Sequence, residues 1–265
     1  MKLGFIGAGK MATALLTGIV KTKTVAASDI TVSDLNSDAL STIKEKLGVN
    51  VTQNSAQVVS QSEIIVLAVK PNVVLSILNS VKSQIKDQLI ISIAAGLDLT
   101  HLQSSVNPDT SIVRVMPNLN ATVGEAAIAI CHNNRVNEEQ LATAHRLLES
   151  SGELFDLPED KFGLFTAISG SSPAFTFLYI DSLARAGVKY GLPKKLADKI
   201  AAQAVFGSAK LMQETGKNPW DLIDDVSSPG GTTVAGLLEM QANNFQTAVI
   251  KGVDATIAQD TKLNK

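Results

Sequence analysis

The feature that most constrains the fold is a change of pattern near residue 160 of this 265-residue chain. Before that point, short β-branched runs alternate with amphipathic helical stretches, which is typical of a parallel sheet covered by helices on both faces. After that point, the pattern predicts long helices rich in Ala and Gly and offers no strand candidate. We therefore predict two domains, an α/β domain at residues 1–160 and an all-helical domain at residues 161–265.

Hydrophobic periodicity and turn residues place the individual elements. Strands are predicted at residues 2–6, 30–33, 49–52, 64–69, 89–93, 111–115, 126–130 and 153–157. Helices are predicted at residues 10–21, 37–47, 55–61, 71–85, 137–150, 172–191, 193–215, 232–242 and 245–263.

The helical domain has more apolar surface than it can bury alone. The helix predicted at residues 172–191 is apolar around most of its circumference, and such a helix must be buried on all sides. We therefore predict that this domain packs against a second copy of the chain, because its small Ala and Gly residues permit close contact between helices.

The segment GAGKMA at residues 7–12 follows a predicted strand and opens a predicted helix. In such a turn the glycines allow the backbone to approach a pyrophosphate, and the helix start supplies N–H donors and a positive dipole. Asp34 ends the second predicted strand, where a carboxylate accepts hydrogen bonds from ribose hydroxyls and repels a 2′-phosphate. Residues 35–43 contain no Lys or Arg, so this pattern favours NADH. The alternatives are an ordinary glycine turn and a helix-capping role for Asp34.

A second glycine-rich segment, SSPGGTT at residues 227–233, precedes another predicted helix. Consecutive N–H groups and two threonine hydroxyls at a helix start form a pocket suited to a small carboxylate. The alternative is a plain Pro-Gly turn in which a threonine caps the helix.

Two charged residues lie in or after predicted central strands. Lys70 follows one strand at the edge where open α/β sheets bind ligands, although a solvated lysine is a common alternative. Arg114 lies inside an apolar run, which predicts an anionic or carbonyl partner and a structural role.

Composition excludes several classes of function. Lys and Arg number 23 against 25 Asp and Glu, so the net charge is −2 and there is no basic surface for nucleic acid. The single cysteine, Cys131, and three histidines without metal-ligand spacing argue against a metal site. We expect no targeting signal and no membrane segment, and therefore a cytoplasmic protein.

The motifs GFIGAGKMA, AVKP, SIAAG, RVMPN, SGSSPAF and SSPGGTT, in this order along the whole chain, resemble the pyrroline-5-carboxylate reductase family. The resemblance implies an amino-terminal Rossmann-type, doubly wound sheet followed by an all-helical carboxyl-terminal dimerisation domain. It also implies an oxidoreductase that reduces the C=N bond of 1-pyrroline-5-carboxylate to L-proline, the last step of proline synthesis, with NADPH or NADH as cofactor.

The resemblance and the residues together predict the site. The predicted cofactor-binding residues lie in the glycine turn and after neighbouring strands, and they are Gly7, Ala8, Gly9, Lys10, Met11, Asp34, Asn54, Val69, Lys70 and Ala95. The predicted substrate-binding residues are Gly230, Gly231, Thr232 and Thr233. As catalytic residues we predict Thr233, hydrogen-bonded to the ring nitrogen, and Lys70, which supplies a positive field. Many family members have Ser, Thr or Arg, suited to NADPH, at the position of Asp34.

Two other functions remain open from the sequence. A dehydrogenase of 3-hydroxy acids would need a general base, for which Lys70 is the candidate. A non-catalytic dinucleotide sensor or scaffold could share the same fold.

Overall fold

The structure is a computed structural model that describes residues 1–263. Within these residues, eight strands form one sheet in the order β3-β2-β1-β4-β5-β6-β7-β8. The strands are β1 (Leu3–Ile6), β2 (Ile30–Ser33), β3 (Asn50–Thr52), β4 (Ile64–Leu67), β5 (Leu89–Ser92), β6 (Ile112–Met116), β7 (Ala126–His132) and β8 (Gly152–Asp156). Every predicted strand is present, with bounds within two residues of the prediction.

The helices also follow the predicted order. Those that accompany the sheet are α1 (Lys10–Lys21), α2 (Ser37–Leu47), α3 (Ser55–Gln61), α4 (Pro71–Val81), α5 (Leu99–Ser104), α6 (Glu138–Leu148) and α7 (Phe162–Phe165). Those that follow are α8 (Ser172–Lys189), α9 (Lys194–Thr215), α10 (Pro219–Asp225), α11 (Thr232–Ala242) and α12 (Phe245–Leu263). The prediction missed the short helices α5, α7 and α10, and it extended α4 through residues that form a 3₁₀ turn at Lys82–Gln84.

The sheet departs from the predicted parallel arrangement at one pair of strands. β6 and β7 are antiparallel, with Val113 opposite His132, whereas the other neighbours are parallel. Only residues 117–125 connect β6 to β7, and a crossover between parallel neighbours needs about a dozen residues or more. The chain therefore reverses there, whereas α6 separates β7 from β8 and permits a parallel return.

The central strands are buried on both faces, which explains their continuous apolar sequences. All residues of β1, β4, β5 and β6 are buried. Two apolar clusters pack against the sheet, one that includes Phe5 and Leu15, and another that includes Ile6 and Leu78. The doubly wound α/β class predicted for this region is confirmed.

The chain divides into two compact units. The first unit comprises residues 1–170 together with residues 259–263, and the second comprises Ser171–Ala258. The second unit is helical throughout, as predicted for this part of the chain. No helix within residues 1–263 combines the length and the apolar character that a bilayer span requires.

Candidate active site

Gly7 is held between the carboxyl ends of the strands on either side of β1. Its N–H donates to the Ser33 carbonyl oxygen over 2.7 Å, and its φ is +111°. A Cβ at this position would overlap the carbonyl oxygen of Ala68. Because glycine alone tolerates both the backbone angle and the close approach, the protein's own packing requires Gly7.

Gly9, unlike Gly7, is not required by the backbone conformation or by close packing. It is the N-cap of α1 with an ordinary φ of −72°, and no side chain of the described chain caps this helix. A Cβ at Gly9 would meet no atom of residues 1–263 within 4 Å. The first-turn N–H groups of α1 therefore adjoin open space, and a pyrophosphate fits such a position. Lys10, the first helical residue, is exposed and adds a positive charge there, whereas Met11 packs against the core.

Asp34 joins the end of β2 to the glycine turn. One carboxylate oxygen accepts a hydrogen bond from the Ala8 N–H over 2.8 Å, and the other accepts from the Asn36 N–H over 2.9 Å. The cap of α2 is Asn36, whose side chain accepts from the N–H groups of Asp38 and Ala39. The alternative in which Asp34 caps this helix is therefore wrong.

The remaining predicted cofactor residues follow neighbouring strands at the same edge of the sheet. Val69 and Lys70 come after β4, and Lys70 is the exposed N-cap residue of α4. Ala95, after β5, is also exposed. Asn54, after β3, caps α3 through a hydrogen bond from the Ala56 N–H to its side-chain oxygen over 3.0 Å. Because β1 to β5 run parallel to one another, their carboxyl ends lie at one edge of the sheet, where doubly wound folds bind dinucleotides.

The predicted substrate-binding segment forms a turn followed by a helix start in the second unit. The Gly231 N–H donates to the Ser228 carbonyl oxygen over 2.9 Å, and Gly230 has a φ of +71°. A Cβ at Gly231 would lie 2.6 Å from the Ser228 hydroxyl oxygen, so the turn leaves no room for a side chain there.

Gly231 is the N-cap of α11, and no side chain among the described residues caps this helix. The alternative of a threonine N-cap is therefore wrong. Thr232 and Thr233 occupy the exposed first turn, and within residues 1–263 their hydroxyls have no hydrogen-bond partner. Free N–H groups and two free hydroxyls are suited to a small anion.

Arg114 has the anionic partner that the sequence predicted. Its guanidinium lies 2.8 Å from Glu159 and 4.6 Å from the centre of the Phe162 ring. Glu159 also accepts the Leu99 N–H over 2.7 Å, so the pair ties β6 to two other segments. Glu159 could not be recognised as this partner from the sequence, because a lone arginine in an apolar run predicts an anionic partner but not its position along the chain.

A polar cavity of about 410 Å³ adjoins this pair in the first unit. Gly96, Asp98 and His101 line it together with Arg114 and Glu159. Asp98 accepts a hydrogen bond from the His101 N–H and lies 2.7 Å from the imidazole Nδ1. Burial opposes ionisation of Asp98, yet these hydrogen bonds hold its pKa below the usual value.

Cys131 lies in β7, beside the same ion pair. Burial, together with the Glu159 charge and opposed by Arg114, raises the pKa of its thiol to about 12. A thiol in this state is neutral at physiological pH and has little nucleophilic character. Within residues 1–263 no group of three His, Cys, Asp or Glu residues could hold a metal ion.

Two family models match the chain on either side of its change in fold. One, described as pyrroline-5-carboxylate reductase dimerisation, matches residues 159–263. The other, described as NADP oxidoreductase, coenzyme F420-dependent, matches residues 2–96. The second match contains the glycine turn and the ends of β1 to β5.

Curated relatives match over the full length. A pyrroline-5-carboxylate reductase from Methanosarcina acetivorans is 38% identical over 265 residues, which covers 100% of this chain and 98% of the relative. The enzyme of the same name from Escherichia coli is 36% identical, again with 100% and 98% coverage.

Solved structures agree in fold. A pyrroline-5-carboxylate reductase from Coxiella burnetii superposes with a TM-score of 0.94 at 30% identity. The match covers 100% of this chain and 98% of the Coxiella chain. A pyrroline carboxylate reductase from Plasmodium falciparum, solved with NADP bound, has a TM-score of 0.88 at 31% identity, with the same coverage. The sequence identity to these relatives extends over the whole chain, and both the glycine turn and the helical region are matched. The chain therefore belongs to the pyrroline-5-carboxylate reductase family.

Proposed function

We propose that this protein reduces the C=N bond of 1-pyrroline-5-carboxylate to L-proline with hydride from NADPH or NADH. One observation in this chain carries the proposal. Helices α1 and α11 each begin after a glycine N-cap, and no side chain among the described residues caps either helix. The relatives that match in full are named for this activity, and one of them was solved with NADP bound.

The first helix start would hold the cofactor. The N–H groups at the start of α1 and the charge of Lys10 would bind the pyrophosphate, and Asp34 would accept hydrogen bonds from ribose. Val69, Lys70 and Ala95, after β4 and β5, would border the nicotinamide end. When bound, the reduced nicotinamide supplies the hydride for the imine carbon.

The second helix start would hold the substrate. Gly230, Gly231 and the first N–H groups of α11 would bind its carboxylate, and the Thr233 hydroxyl would hydrogen-bond the ring nitrogen. A protonated iminium is the better acceptor of hydride, and the product amine keeps its proton. The protein therefore needs no strong general acid, and its main contribution is to position the reactants. Lys70 would add a positive field.

The assembly would be built from two copies that pack through their helical units. Leu178 and Phe177 of α8 are 67% and 57% exposed, and an apolar cavity of about 470 Å³ lies between α8 and α12. Monomeric proteins rarely expose large apolar side chains next to one another and beside an apolar cavity. The family model that matches this region is described as pyrroline-5-carboxylate reductase dimerisation. We propose that the second copy brings a substrate-binding turn to a cofactor site.

The direct test mixes the purified full chain with 1-pyrroline-5-carboxylate and either NADH or NADPH, and follows the absorbance of the reduced nicotinamide. Oxidation that depends on the imine, with proline as product, is the expected result. Oxidation only with a keto acid would instead indicate a dehydrogenase of 3-hydroxy acids. Binding of the coenzyme without turnover would indicate a sensor or scaffold.

A further inference from the structure

We infer that this chain selects NADH over NADPH and that Asp34 sets the preference. The inference rests on the proposed function, because it concerns the cofactor of that same reaction. It depends on where the Asp34 carboxylate is held, on the charges around it, and on the fact that Asn36, and not Asp34, caps α2.

The Asp34 carboxylate is fixed in place from two sides. The Ala8 N–H, in the glycine turn, donates to one oxygen, and the Asn36 N–H, at the start of α2, donates to the other. The side chain cannot turn away without breaking both hydrogen bonds, and hydrogen bonds to a charged group are stronger than those between neutral groups. A ligand bound at this edge of the sheet therefore meets a carboxylate that does not move aside.

This carboxylate favours a ribose with free hydroxyls. Each carboxylate oxygen that accepts one N–H group retains capacity for another donor, which the 2′- and 3′-hydroxyls of NADH can supply. NADPH keeps the 3′-hydroxyl but has a 2′-phosphate in place of the 2′-hydroxyl, with a charge of about −1.5 to −2 and no proton donor equivalent to that hydroxyl. At the same position it would meet a fixed negative charge.

The first residues after β2 and β3 supply no cation to offset that repulsion. Asp34 forms no ion pair within the part of the chain that the structure describes. Residues 35–43 contain no Lys or Arg and add another acid, Asp38, in the first turn of α2. The neighbouring residues after β3, Gln53 and Asn54, are neutral. Lys10, the cation of the glycine turn, lies at the start of α1, where the pyrophosphate would bind.

The fold does not need the charge of Asp34 for α2. Asn36 already satisfies the N–H groups at the start of that helix. An uncharged side chain at position 34 that still accepts a hydrogen bond would therefore retain part of the local structure while it removed the repulsion.

The test measures dissociation constants of NAD⁺ and NADP⁺ by calorimetry, and kcat/KM for NADH and NADPH with 1-pyrroline-5-carboxylate, on the full chain. We expect the wild type to favour the unphosphorylated coenzyme by about tenfold or more in both quantities. In Asp34→Ser this ratio should fall by about tenfold. Asp34→Asn, which keeps the shape and loses the charge, should lower the ratio in the same direction.

Asp38→Ser is the matched control, because it removes the same charge from an exposed residue nearby that holds no backbone group of the glycine turn. It should change the ratio by less than about threefold, as expected for a screened surface charge. The inference is wrong if the wild type binds NADP⁺ as tightly as NAD⁺, if neither coenzyme binds, or if Asp38→Ser shifts the ratio as much as Asp34→Ser. Should both Asp34 variants fail to fold, the wild-type ratio alone decides.

The experiment distinguishes a failure of the proposed function from a failure of the inference that Asp34 selects NADH. Imine-dependent oxidation without a preference for NADH would leave the proposed function standing and overturn the inference. Preferential binding of NAD⁺ that Asp34→Ser abolishes, without any turnover of the imine, would support the inference and overturn the proposed function.

Discussion

The two units of this chain differ in how they bury apolar side chains. In the first unit Phe5, Leu15 and Ile90 are at most 1% exposed, and every residue of four central strands is buried. Among residues 171–258, all of which the structure describes, the buried positions are Pro173, Ala184, Ala197 and Ala201. The first unit completes its own core, whereas the second has small residues inside and large apolar residues outside.

The same contrast holds for the two glycine turns. Gly7 lies among three strands, in a buried position that the sheet itself defines. Gly230 lies in an exposed loop, and a Cβ there would meet no described atom within 4 Å. A binding site that must be shielded from water can therefore form within the first unit alone. A binding site at the exposed Gly230 turn needs a second protein surface to cover it. This is the physical reason for the proposal that the cofactor binds within the first unit and that a second copy completes the site at the substrate turn.

The largest expected effect comes from a charge placed on the exposed apolar face of the second unit. Leu178→Asp should weaken self-association by about 100-fold or more, because a dimer with twofold symmetry would bury two unpaired carboxylates. Sedimentation or light scattering would report the mass. The matched control is Val123→Asp, a 74% exposed position in the first unit that should leave the mass unchanged. If Leu178→Asp stays associated, the face of α8 is not the interface.

The second largest effect is a difference in the free energy of unfolding between substitutions at the two glycines of the amino-terminal turn. Gly7→Ala should lower the free energy of unfolding by about 2–5 kcal/mol, from the strained backbone and the overlap with Ala68. Gly9→Ala should change it by less than about 1 kcal/mol, because its Cβ enters open space. That methyl group should nevertheless weaken coenzyme binding. Urea unfolding and calorimetry measure the two quantities, and equal losses of stability would contradict this assignment.

A smaller effect is expected at the exposed helix start of the second unit. Thr233→Val removes a hydroxyl that has no partner among the described residues, so the free energy of unfolding should stay within about 0.5 kcal/mol of wild type. If that hydroxyl binds the ring nitrogen, kcat/KM for the imine should fall by about 10- to 100-fold. Thr233→Ser, which keeps the hydroxyl, should retain most of the activity. An unchanged kcat/KM in Thr233→Val would remove Thr233 from the proposed mechanism.

The smallest effect concerns Cys131, which is partly buried in β7 of the first unit. With its pKa raised to about 12, the thiol should be protonated at pH 8, with only about one molecule in ten thousand as thiolate. Ellman's reagent should then label the native protein very slowly and label the single thiol at once in denaturant. Rapid native labelling would show that this part of the first unit opens readily.

Local signals explain why many elements could be predicted from the sequence. Helix α2 begins after the capping Asn36 and ends before Gly48, whose φ is +70°, and its bounds are the predicted ones. Helix α10 was missed although it carries local signals of the same kind, since Asn218 caps it and Pro219 opens it.

The alternation of elements, the glycine turn and the family can be recognised from the order of residues along the chain, because helix caps, strand periods and turn conformations depend on neighbours a few positions apart. Contacts between distant residues cannot be recognised in this way. The Arg114–Glu159 pair spans 45 positions, and the Asp34–Ala8 hydrogen bond spans 26. Which atoms meet across such distances depends on strand order and on the one antiparallel pair, and these follow from packing the whole sheet.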